Sequence, residues 1–254
     1  MSLRQFIKPY YHRLRGIPPL KLQDVCLVSY PKSGNTWVRF VLAHLLNSCQ
    51  QQLHFRNLRE SIPEYRKERD LELLRDMPSP RFIKSHDRYS RFFPKVIYIV
   101  RDPRDVYVSY FYYRKPRLPQ GIGILEFVRD KKWRQNIDWS DHYRDWQKHP
   151  HLLLVRYEDL LSDSLGSFRR ILEWTPEFNW NDGLLKPALE MSSFSVLKEQ
   201  EQAHGHYYAN LEAGRKPPVF MRQGQRGNWR LELPDEAVAI IEKRAGLLMK
   251  DLGY

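Results

Sequence analysis

Apolar residues along the sequence follow two spacings, which separate predicted strands from predicted helices. Short unbroken apolar runs are typical of buried strands, and they occur at residues 25–30, 81–85, 95–100 and 152–155. Apolar residues three and four positions apart predict helices at residues 36–46, 102–113, 124–135, 139–149, 164–174, 184–191, from 194 onward, and 235–252. Strands that alternate with helices predict an α/β fold, with a mostly parallel sheet and helices on both faces.

Three stretches do not fit this alternation. Residues 53–76 are strongly charged and weakly periodic, so we predict one or two surface helices, loops and a solvated charged face. Residues 114–123 contain two prolines and two glycines and predict a loop that serves as a lid. Residues 201–229 predict a long loop, which inside a compact domain is usually functional or mobile. No repeat or linker is evident, so residues 1–254 are predicted to form a single domain.

The junction between the first strand and the first helix has the features of an anion-binding loop. Pro31 stiffens the entry, Gly34 permits close approach of the backbone, and Lys32 adds a mobile cation near the hydroxyl of Thr36. Asn35 or Thr36 is expected to cap the helix, whose first N–H groups and dipole favour a negative ligand. The lysine precedes the glycine, unlike in the Walker A sequence, so we predict a phosphate site other than the usual nucleoside triphosphate loop.

Polar residues also follow the other predicted strands at their carboxyl ends, where such sheets bind ligands. His86 follows the second strand, Arg101 the third and Tyr157 the fourth. Arg101 has two interpretations: a surface ion pair with Asp102 or Asp105, or a second anion clamp that uses the guanidinium fork. Beside the first loop, a second clamp suggests a ligand with two separate phosphate groups.

The overall charge narrows the classes of ligand. The 254 residues carry a formal net charge of +12, which predicts attraction to nucleic acid, anionic membrane or a highly charged small ligand. The basic segment 1–21 has apolar residues at helical spacing interrupted by a proline. We expect this segment to dock on or flank the domain, and peripheral membrane contact is the alternative.

The cysteine content and the lack of long apolar runs predict in which cellular compartment the protein resides. Cys26 and Cys49 are too few for a disulfide scaffold and favour reducing surroundings. No apolar run is long enough to span a bilayer and no signal peptide is apparent, so we expect a cytoplasmic location. No His or Cys cluster has the spacing of metal ligands, so no metal is expected.

Three sequence blocks give the phosphate site a more specific interpretation. The blocks YPKSGNTW, YIVRDPRDVYVSY and FMRQGQRGNW occur in this order between residues 25 and 229. In order and spacing they resemble the sulfotransferases that use 3′-phosphoadenosine 5′-phosphosulfate (PAPS). The resemblance implies an enzyme with a P-loop-like phosphate cradle. It would move a sulfuryl group from PAPS to an acceptor hydroxyl and release adenosine 3′,5′-bisphosphate (PAP).

The same resemblance assigns residues to the donor. Backbone N–H groups of the loop would hold the 5′-phosphosulfate, while Arg101 and Ser109 would grip the 3′-phosphate and three aromatic rings would contact adenine. The donor-binding residues implied in this way are Lys32, Ser33, Gly34, Asn35, Thr36, Trp37, Arg101, Ser109, Tyr157, Ser192, Phe194, Arg222, Gln223 and Gly224. Gln223 stands where the family usually has a lysine, which weakens one charge contact.

The segment FIKSH matches the family segment that ends in the catalytic histidine, which makes His86 the implied general base. An imidazole with an ordinary pKa of about 6.5 accepts a hydroxyl proton at neutral pH. Lys84 lies two residues earlier, on the same side of the strand, and would reach the transferring group. Lys32 would neutralise the bridging oxygen as the sulfuryl group departs in line.

Two other functions share parts of this pattern. A nucleotide-binding kinase would use the same strand–loop–helix unit, although the Walker A order is absent from the sequence. A non-enzymatic binder of nucleic acid or acidic lipid would use the basic charge alone.

The acceptor is left open by the sequence. Variable loops at residues 55–80, 114–123 and 201–219 mix aromatic and basic residues. They suit a phenol, an alcohol on a hydrophobic scaffold, or an anionic glycan or lipid. For the sulfotransferase interpretation no nucleic-acid partner is expected.

Overall fold

A sheet of four parallel strands organises the part of the chain that the computed structural model describes, residues 19–134, 136–205 and 219–254. The strands are β1 (Val25–Ser29), β2 (Phe82–Ser85), β3 (Lys95–Val100) and β4 (Leu152–Arg156), in the spatial order β2-β1-β3-β4. All three pairings are parallel, so the predicted sheet is confirmed. The strand order reverses between β1 and β3, the kind of switch point where α/β sheets bind ligands.

Helices connect and cover these strands. They are α1 (Asn35–Leu46), α2 (Leu58–Ser61), α3 (Leu71–Asp76), α4 (Pro103–Arg114), α5 (Ile124–Arg129), α6 (Trp139–Trp146), α7 (Tyr157–Ser162), α8 (Ser164–Trp174), α9 (Leu185–Met191), α10 (Phe194–His204), α11 (Trp229–Glu232) and α12 (Asp235–Asp251). None of the helices in the described ranges is long and apolar enough to cross a bilayer.

Alternate side chains of the strands enter hydrophobic clusters on opposite faces of the sheet. Cys26 and Val28 of β1 belong to a cluster that includes residues of α4, α5, α6 and α12. Val25 and Leu27 belong to a second cluster, with residues of α1, α8 and α9. Burial on both faces explains why the strands read as unbroken apolar runs, and it confirms the expected helices on both sides.

The loop after β1 enters α1 without the predicted side-chain cap. Gly34 occupies the N-cap position with φ 99°, and no side chain accepts a hydrogen bond there. The Asn35 amide instead donates to the carbonyl of Leu27, 3.1 Å away, and so ties the loop back to β1. The prediction that Asn35 or Thr36 caps the helix is therefore wrong, because the loop turns one residue earlier, at glycine.

The charged stretch at residues 53–76 forms short helices, as predicted, but part of its charge is buried. The Tyr65 N–H donates to the Lys84 carbonyl and the Lys84 N–H donates to the Pro63 carbonyl, each at 2.8 Å. This pairing lays the segment against the edge of β2, and Glu64 and Asp70 are buried. The prediction of a solvated face is wrong for these two acids, because Glu64 pairs with Lys84 of β2 and Asp70 accepts the Glu64 N–H at 2.8 Å.

Two further boundaries differ from the predictions. Helix α5 ends at Arg129, and the carboxylate of Asp130 then accepts the N–H of Lys132 to start a separate short turn. Helix α10 continues to His204, into the predicted loop 201–229. Residues 206–218 of that loop and residues 1–18 of the basic segment lie outside the described residues, as does the predicted docking of that segment.

Within the same described ranges, no group of three or more His, Cys, Asp or Glu side chains is arranged to hold a metal ion. Cys26 and Cys49 are free thiols.

Replacing Asp24 by asparagine is expected to destabilise the fold. Asp24 and Arg81 form a buried ion pair at 2.6 Å, with side chains 0% and 2% exposed. Removing one partner leaves an uncompensated buried charge, so the free energy of unfolding in urea should fall by about 3 kcal/mol. The matched control is Glu177→Gln, which removes one partner of the half-buried surface ion pair between Glu177 and Lys95. It should lose less than about 1 kcal/mol, and equal losses in the two variants would contradict this account.

Candidate active site

A cavity of about 750 Å³ opens at the carboxyl ends of β1, β2 and β3. It is lined by residues from widely separated parts of the sequence. The predicted site residues among them are Lys32, Gly34, Asn35, Thr36, Trp37, Lys84, His86, Arg101, Ser109, Tyr157, Ser192, Phe194, Arg222, Gln223 and Gly224. Ser33 is not among the lining residues; it is fully buried, and its hydroxyl has no hydrogen-bond partner within the described residues.

The loop at the base of the cavity is shaped by two residues with positive φ. Lys32 has φ 72° and Gly34 has φ 99°. A Cβ atom on Gly34 would lie 2.4 Å from Cδ2 of Tyr157, so only glycine fits beneath this ring. The first helical hydrogen bond is donated by the Trp37 N–H to the Gly34 carbonyl at 3.0 Å, so the N–H groups that precede it need partners outside the helix. Such N–H groups, at the positive end of the helix dipole, suit a phosphate or sulfate group.

Lys32 places its ammonium group against two aromatic rings of the cavity wall. Its Nζ lies 3.8 Å from the ring centroid of Phe220 and 4.6 Å from that of Tyr113. Burial lowers the pKa of Lys32 to about 7. Glu201 opposes the shift, while Arg101 adds to it. Near neutral pH, a bound anion would therefore favour the charged form of this lysine.

His86 is held in one tautomer by the end of β1. Its Nδ1 lies 2.8 Å from the carbonyl oxygen of Ser29. A carbonyl only accepts, so Nδ1 carries the proton and Nε2 is left with a free lone pair. Burial, together with the nearby charge of Lys84, lowers the pKa of His86 to about 3. The imidazole is thus neutral across the physiological pH range, with the Nε2 lone pair unprotonated, and the expectation of an ordinary pKa of about 6.5 is wrong because burial makes this histidine a weaker base.

Glu64 is a cavity residue that sequence reasoning missed. Its carboxylate lies 3.0 Å from Nζ of Lys84. Burial alone would raise the pKa of Glu64, but the charge of Lys84, and that of His86 once it is protonated at acid pH, outweigh burial and lower the pKa to about 2. Burial lowers the pKa of Lys84 to about 8, against the opposing effect of Glu64. Pairing between residues 63–65 and β2 brings the two together, and no local spacing signals it.

Arg101 makes the ion pair with Asp105 that the sequence suggested, although the pair is buried, and its role as an anion clamp stays a prediction. Its guanidinium lies 3.9 Å from the Asp105 carboxylate, lines the cavity, and packs 4.5 Å from the ring centroid of Tyr157. It also donates to the Gln225 carbonyl at 2.8 Å, and so contacts the segment that closes the cavity. Arg101 therefore contacts the segment that contains Gln225, and it also lies at the cavity surface, where a bound anion would be within its reach.

The closing segment, residues 219–228, is fixed at two points by carboxylates. Glu201 accepts the N–H groups of Phe220 and Met221 at 2.7 and 2.8 Å. Asp105 accepts the N–H groups of Gly227 and Trp229 at 2.7 and 3.0 Å. These contacts hold the segment over the cavity, and neither acid was singled out in the sequence for this purpose.

Several buried polar atoms along the wall lack partners within the described residues. They include the hydroxyl of Ser192, the amide oxygen of Asn35 and Nε of Arg101. Buried polar atoms are rarely left unpaired, and a polar ligand or water in the cavity would supply the missing partners. Trp37, Tyr157 and Phe194 add aromatic surface to the same cavity. The wall as a whole suits a nucleotide with separated anionic groups.

Comparison with known proteins decides the family. The sequence profile of the sulfotransferase domain matches residues 22–253. The chain belongs to the sulfotransferase domain family. The resemblance seen in the three sequence blocks is thereby confirmed, as is the prediction of an enzyme that transfers sulfuryl groups. The match favours neither a kinase nor a non-enzymatic polyanion binder.

Sulfotransferases of similar sequence and structure support this assignment. The chain is 29% identical to mouse sulfotransferase 1 family member D1 over 229 residues, which cover 82% of this chain and 77% of that protein. It is also 29% identical to rat sulfotransferase 2A6 over 243 residues, covering 85% and 84% of the two chains.

Two solved structures share the fold. One is mouse sulfotransferase SULT7A1 complexed with PAP, with a TM-score of 0.69, 23% identity, and coverage of 92% of this chain and 87% of that one. The other is retinol dehydratase in a complex with retinol and PAP, with a TM-score of 0.68, 21% identity, and coverage of 96% and 86%. At this identity the likeness shows the fold, and the predicted P-loop-like architecture agrees with it.

Proposed function

We propose that this sulfotransferase moves a sulfuryl group from PAPS to an acceptor hydroxyl, with His86 as the general base. The observation that carries the proposal is the presence of Lys32, Lys84 and His86 in one cavity with Arg101 and Ser109. Lys32, Lys84 and His86 suit the reacting sulfuryl group, and Arg101 and Ser109 suit a distant phosphate. The lining residues therefore fit a bisphosphorylated donor better than a single anion.

Each reactive side chain has a defined task in this proposal. His86 takes the acceptor proton on Nε2, because its Nδ1 proton is committed to the Ser29 carbonyl. Lys32 stabilises the negative charge that grows on the leaving side. Glu64 holds Lys84 in place and balances its charge, so Lys84 can contact a sulfuryl oxygen. These roles position groups and stabilise charge, which is how transfer of this type is accelerated.

The donor would be held along its whole length. Backbone N–H groups of residues 33–36 would bind the phosphosulfate, and Arg101, Ser109 and Arg222 would hold the 3′-phosphate. The adenine would lie among Trp37, Tyr157 and Phe194, which line the cavity. Gln223 lines the cavity where the family usually has a lysine, so it would offer a hydrogen bond in place of a charge.

The proposed acceptor is a small molecule that carries a hydroxyl group. The cavity wall contains the apolar or aromatic residues Tyr110, Tyr113 and Phe220 beside the reactive lysine and histidine. Retinol dehydratase has been solved with retinol and with androsterone, both in complexes with PAP. A single domain over residues 1–254, the cytoplasmic location and membrane contact by the N-terminal segment stay predictions.

Radiolabelled PAPS tests the proposal directly. Incubation with a panel of phenols and alcohols should give labelled sulfate esters and stoichiometric PAP. PAP at about 100 times its Kd should stabilise the protein by about 2.7 kcal/mol, which raises the melting temperature by roughly 5–10 °C. Stabilisation by ATP–Mg²⁺ but not by PAP would favour the kinase, and steeply salt-dependent nucleic-acid binding alone would favour the polyanion binder.

The pH dependence of donor capture should report Lys32. Its pKa of about 7 in the free enzyme is set by burial, by Glu201, and by the charges of Arg101, Lys84 and Arg222. Only the protonated form attracts the donor, so kcat/KM for PAPS should fall about tenfold per pH unit as pH rises above 7. Once the donor is bound, its negative charge raises the pKa, and kcat should stay flat.

A Lys32→Arg variant provides the matched control for this profile. Arginine stays charged throughout the range, so the decline that begins near pH 7 should move to above about pH 8, where Lys84 loses its proton, even if the overall rate falls. A wild-type kcat/KM that is constant from pH 6 to pH 8, or a decline that still begins near pH 7 in the arginine variant, would show that Lys32 is not the titrating group.

A further inference from the structure

The junction between β3 and α4 carries two of the side chains proposed to hold the 3′-phosphate. Arg101 follows β3 directly, Ser109 lies further along α4, and both line the cavity. The helix is capped by Asp102, whose carboxylate accepts the N–H of Arg104 at 2.9 Å. The N–H of Asp102 itself donates to Oε1 of Glu158 at 3.1 Å. Glu158 thus binds the peptide that joins Arg101 to Asp102.

Glu158 is a buried carboxylate that has no task in the proposed transfer. It is 9% exposed, and its second oxygen, Oε2, accepts the hydroxyl of Tyr254 at 2.8 Å. The ring of Tyr254 in turn packs with its centroid 4.9 Å from the guanidinium carbon of Arg156. Each oxygen of the carboxylate therefore has a donor, the Asp102 N–H on one side and the Tyr254 hydroxyl on the other.

Arg101 is a further cation within electrostatic reach of this carboxylate. Its guanidinium packs 4.5 Å from the ring centroid of Tyr157, the residue that precedes Glu158. Burial raises the pKa of Glu158, while the Asp102 N–H, Tyr254 and the positive charge of Arg101 oppose that shift. The charges of Arg101 and Glu158 thus act on each other.

The Tyr254 hydroxyl affects which donors the carboxylate uses. Leaving a buried carboxylate oxygen without a donor is costly, so without this hydroxyl Glu158 would turn to another donor within reach. The guanidinium of Arg101 is such a donor, and arginine binds carboxylates as readily as it binds phosphates. A Glu158–Arg101 pair would occupy N–H groups that the 3′-phosphate needs, and it would bring a negative charge toward that phosphate.

We propose that Tyr254 is a positioning residue for the 3′-phosphate site, whose hydroxyl keeps the Glu158 carboxylate away from the guanidinium of Arg101. Tyr254 is not among the described residues that line the cavity, so it acts on the donor only through Glu158 and Arg101. The inference rests on the proposed function and adds a residue that sets the preference for a donor with a 3′-phosphate.

Calorimetric titration of a Tyr254→Phe variant with PAP and with adenosine 5′-monophosphate tests this role. Phenylalanine keeps the ring beside Arg156 and removes only the hydroxyl. The affinity for PAP should fall about tenfold, as for loss of a charge-assisted contact. The affinity for the monophosphate should stay within about twofold, because that ligand has no 3′-phosphate. Loss of both affinities to the same extent, or of neither, would overturn the proposal.

The matched control is Tyr143→Phe, which removes the hydroxyl of a buried tyrosine elsewhere in the core. The ring of Tyr143 packs against Trp139 on α6, and neither is among the described residues that line the cavity. Both affinities should match those of the parent enzyme. A tenfold loss of PAP affinity in this variant as well would contradict a specific role for Tyr254.

A second substitution separates positioning from a loss of packing. Glu158→Gln keeps an oxygen that can accept the Asp102 N–H, but it removes the negative charge that would compete for Arg101. Added to Tyr254→Phe, it should restore the ratio of PAP affinity to monophosphate affinity to within about twofold of the parent. If Tyr254 only supported the fold, the second substitution would leave the loss in place or deepen it, and the proposal would be overturned.

The same titrations separate this inference from the proposed function. A parent enzyme that prefers PAP, with a preference that Tyr254→Phe leaves intact, would overturn the role of Tyr254 and retain the proposed function. Failure of PAP to bind to the parent enzyme would overturn the proposed function itself.

Discussion

Replacing His86 by alanine is expected to lower kcat for sulfuryl transfer by about 10²–10⁴-fold, the range for loss of a positioned general base. The affinity for PAP, measured by calorimetry, should stay within about twofold of the parent, because the proposed donor contacts come from other residues. This split distinguishes a catalytic base from a residue that shapes the binding site. Because the pKa of His86 is about 3, the imidazole is already neutral at pH 5. The profile of kcat against pH should therefore show no decline from protonation of His86 above pH 5.

The matched control for this variant is His151→Asn. His151 is exposed, and its backbone makes its hydrogen bonds: the N–H donates to His149 and the carbonyl accepts from Val96. Its removal should leave both kcat and PAP affinity unchanged. Retention of full kcat in His86→Ala would remove the imidazole from the chemistry. An equal loss of kcat and PAP affinity would instead assign His86 to donor binding.

Replacing Lys32 by methionine is expected to lower kcat by about 10²–10³-fold, as for loss of an electrostatic contact made in the transition state. Methionine keeps an unbranched apolar side chain between Tyr113 and Phe220, so the lost activity reports the charge and not the packing. PAP affinity should fall as well, because the ammonium group faces the bound anion in the ground state. The measurement is single-turnover transfer together with calorimetric binding of PAP.

Lys186→Met serves as the control for Lys32→Met. Lys186 is exposed on α9, so the variant removes the same charge from the surface. It should change neither rate nor affinity. If Lys32→Met matched this control in rate, charge stabilisation at the leaving oxygen would have to come from elsewhere in the cavity.

Much of the fold and part of the site were accessible from the sequence, because the signals are local. The apolar runs that predicted β1–β4 reflect strands buried on both faces. The ends of those strands then placed Lys32, His86 and Arg101 at one edge of the sheet, since parallel strands share their carboxyl ends. Sequence blocks supplied the rest of the donor residues; all but Ser33 line the cavity, in agreement with that expectation, and their roles stay predictions.

The features that the sequence did not predict depend on long-range contacts. Glu64 looked like one more charge in a polar stretch, and only pairing with β2 brings it to Lys84. Glu201 fixes the closing segment across a loop that has no periodic signal. The predicted cap of α1 was wrong because the Asn35 amide donates instead to the Leu27 carbonyl. The sequence does not show that this carbonyl of β1 lies within reach of Asn35.

The central claim is that one nucleotide is held at both ends, at the loop after β1 and at Arg101. Calorimetric titration with PAP and with adenosine 5′-monophosphate tests it most directly, because the two differ only in the 3′-phosphate. PAP should bind about 100-fold more tightly, and Arg101→Gln should remove most of that difference. Equal affinity for the two nucleotides, or a preference that Arg101→Gln leaves intact, would contradict the claim.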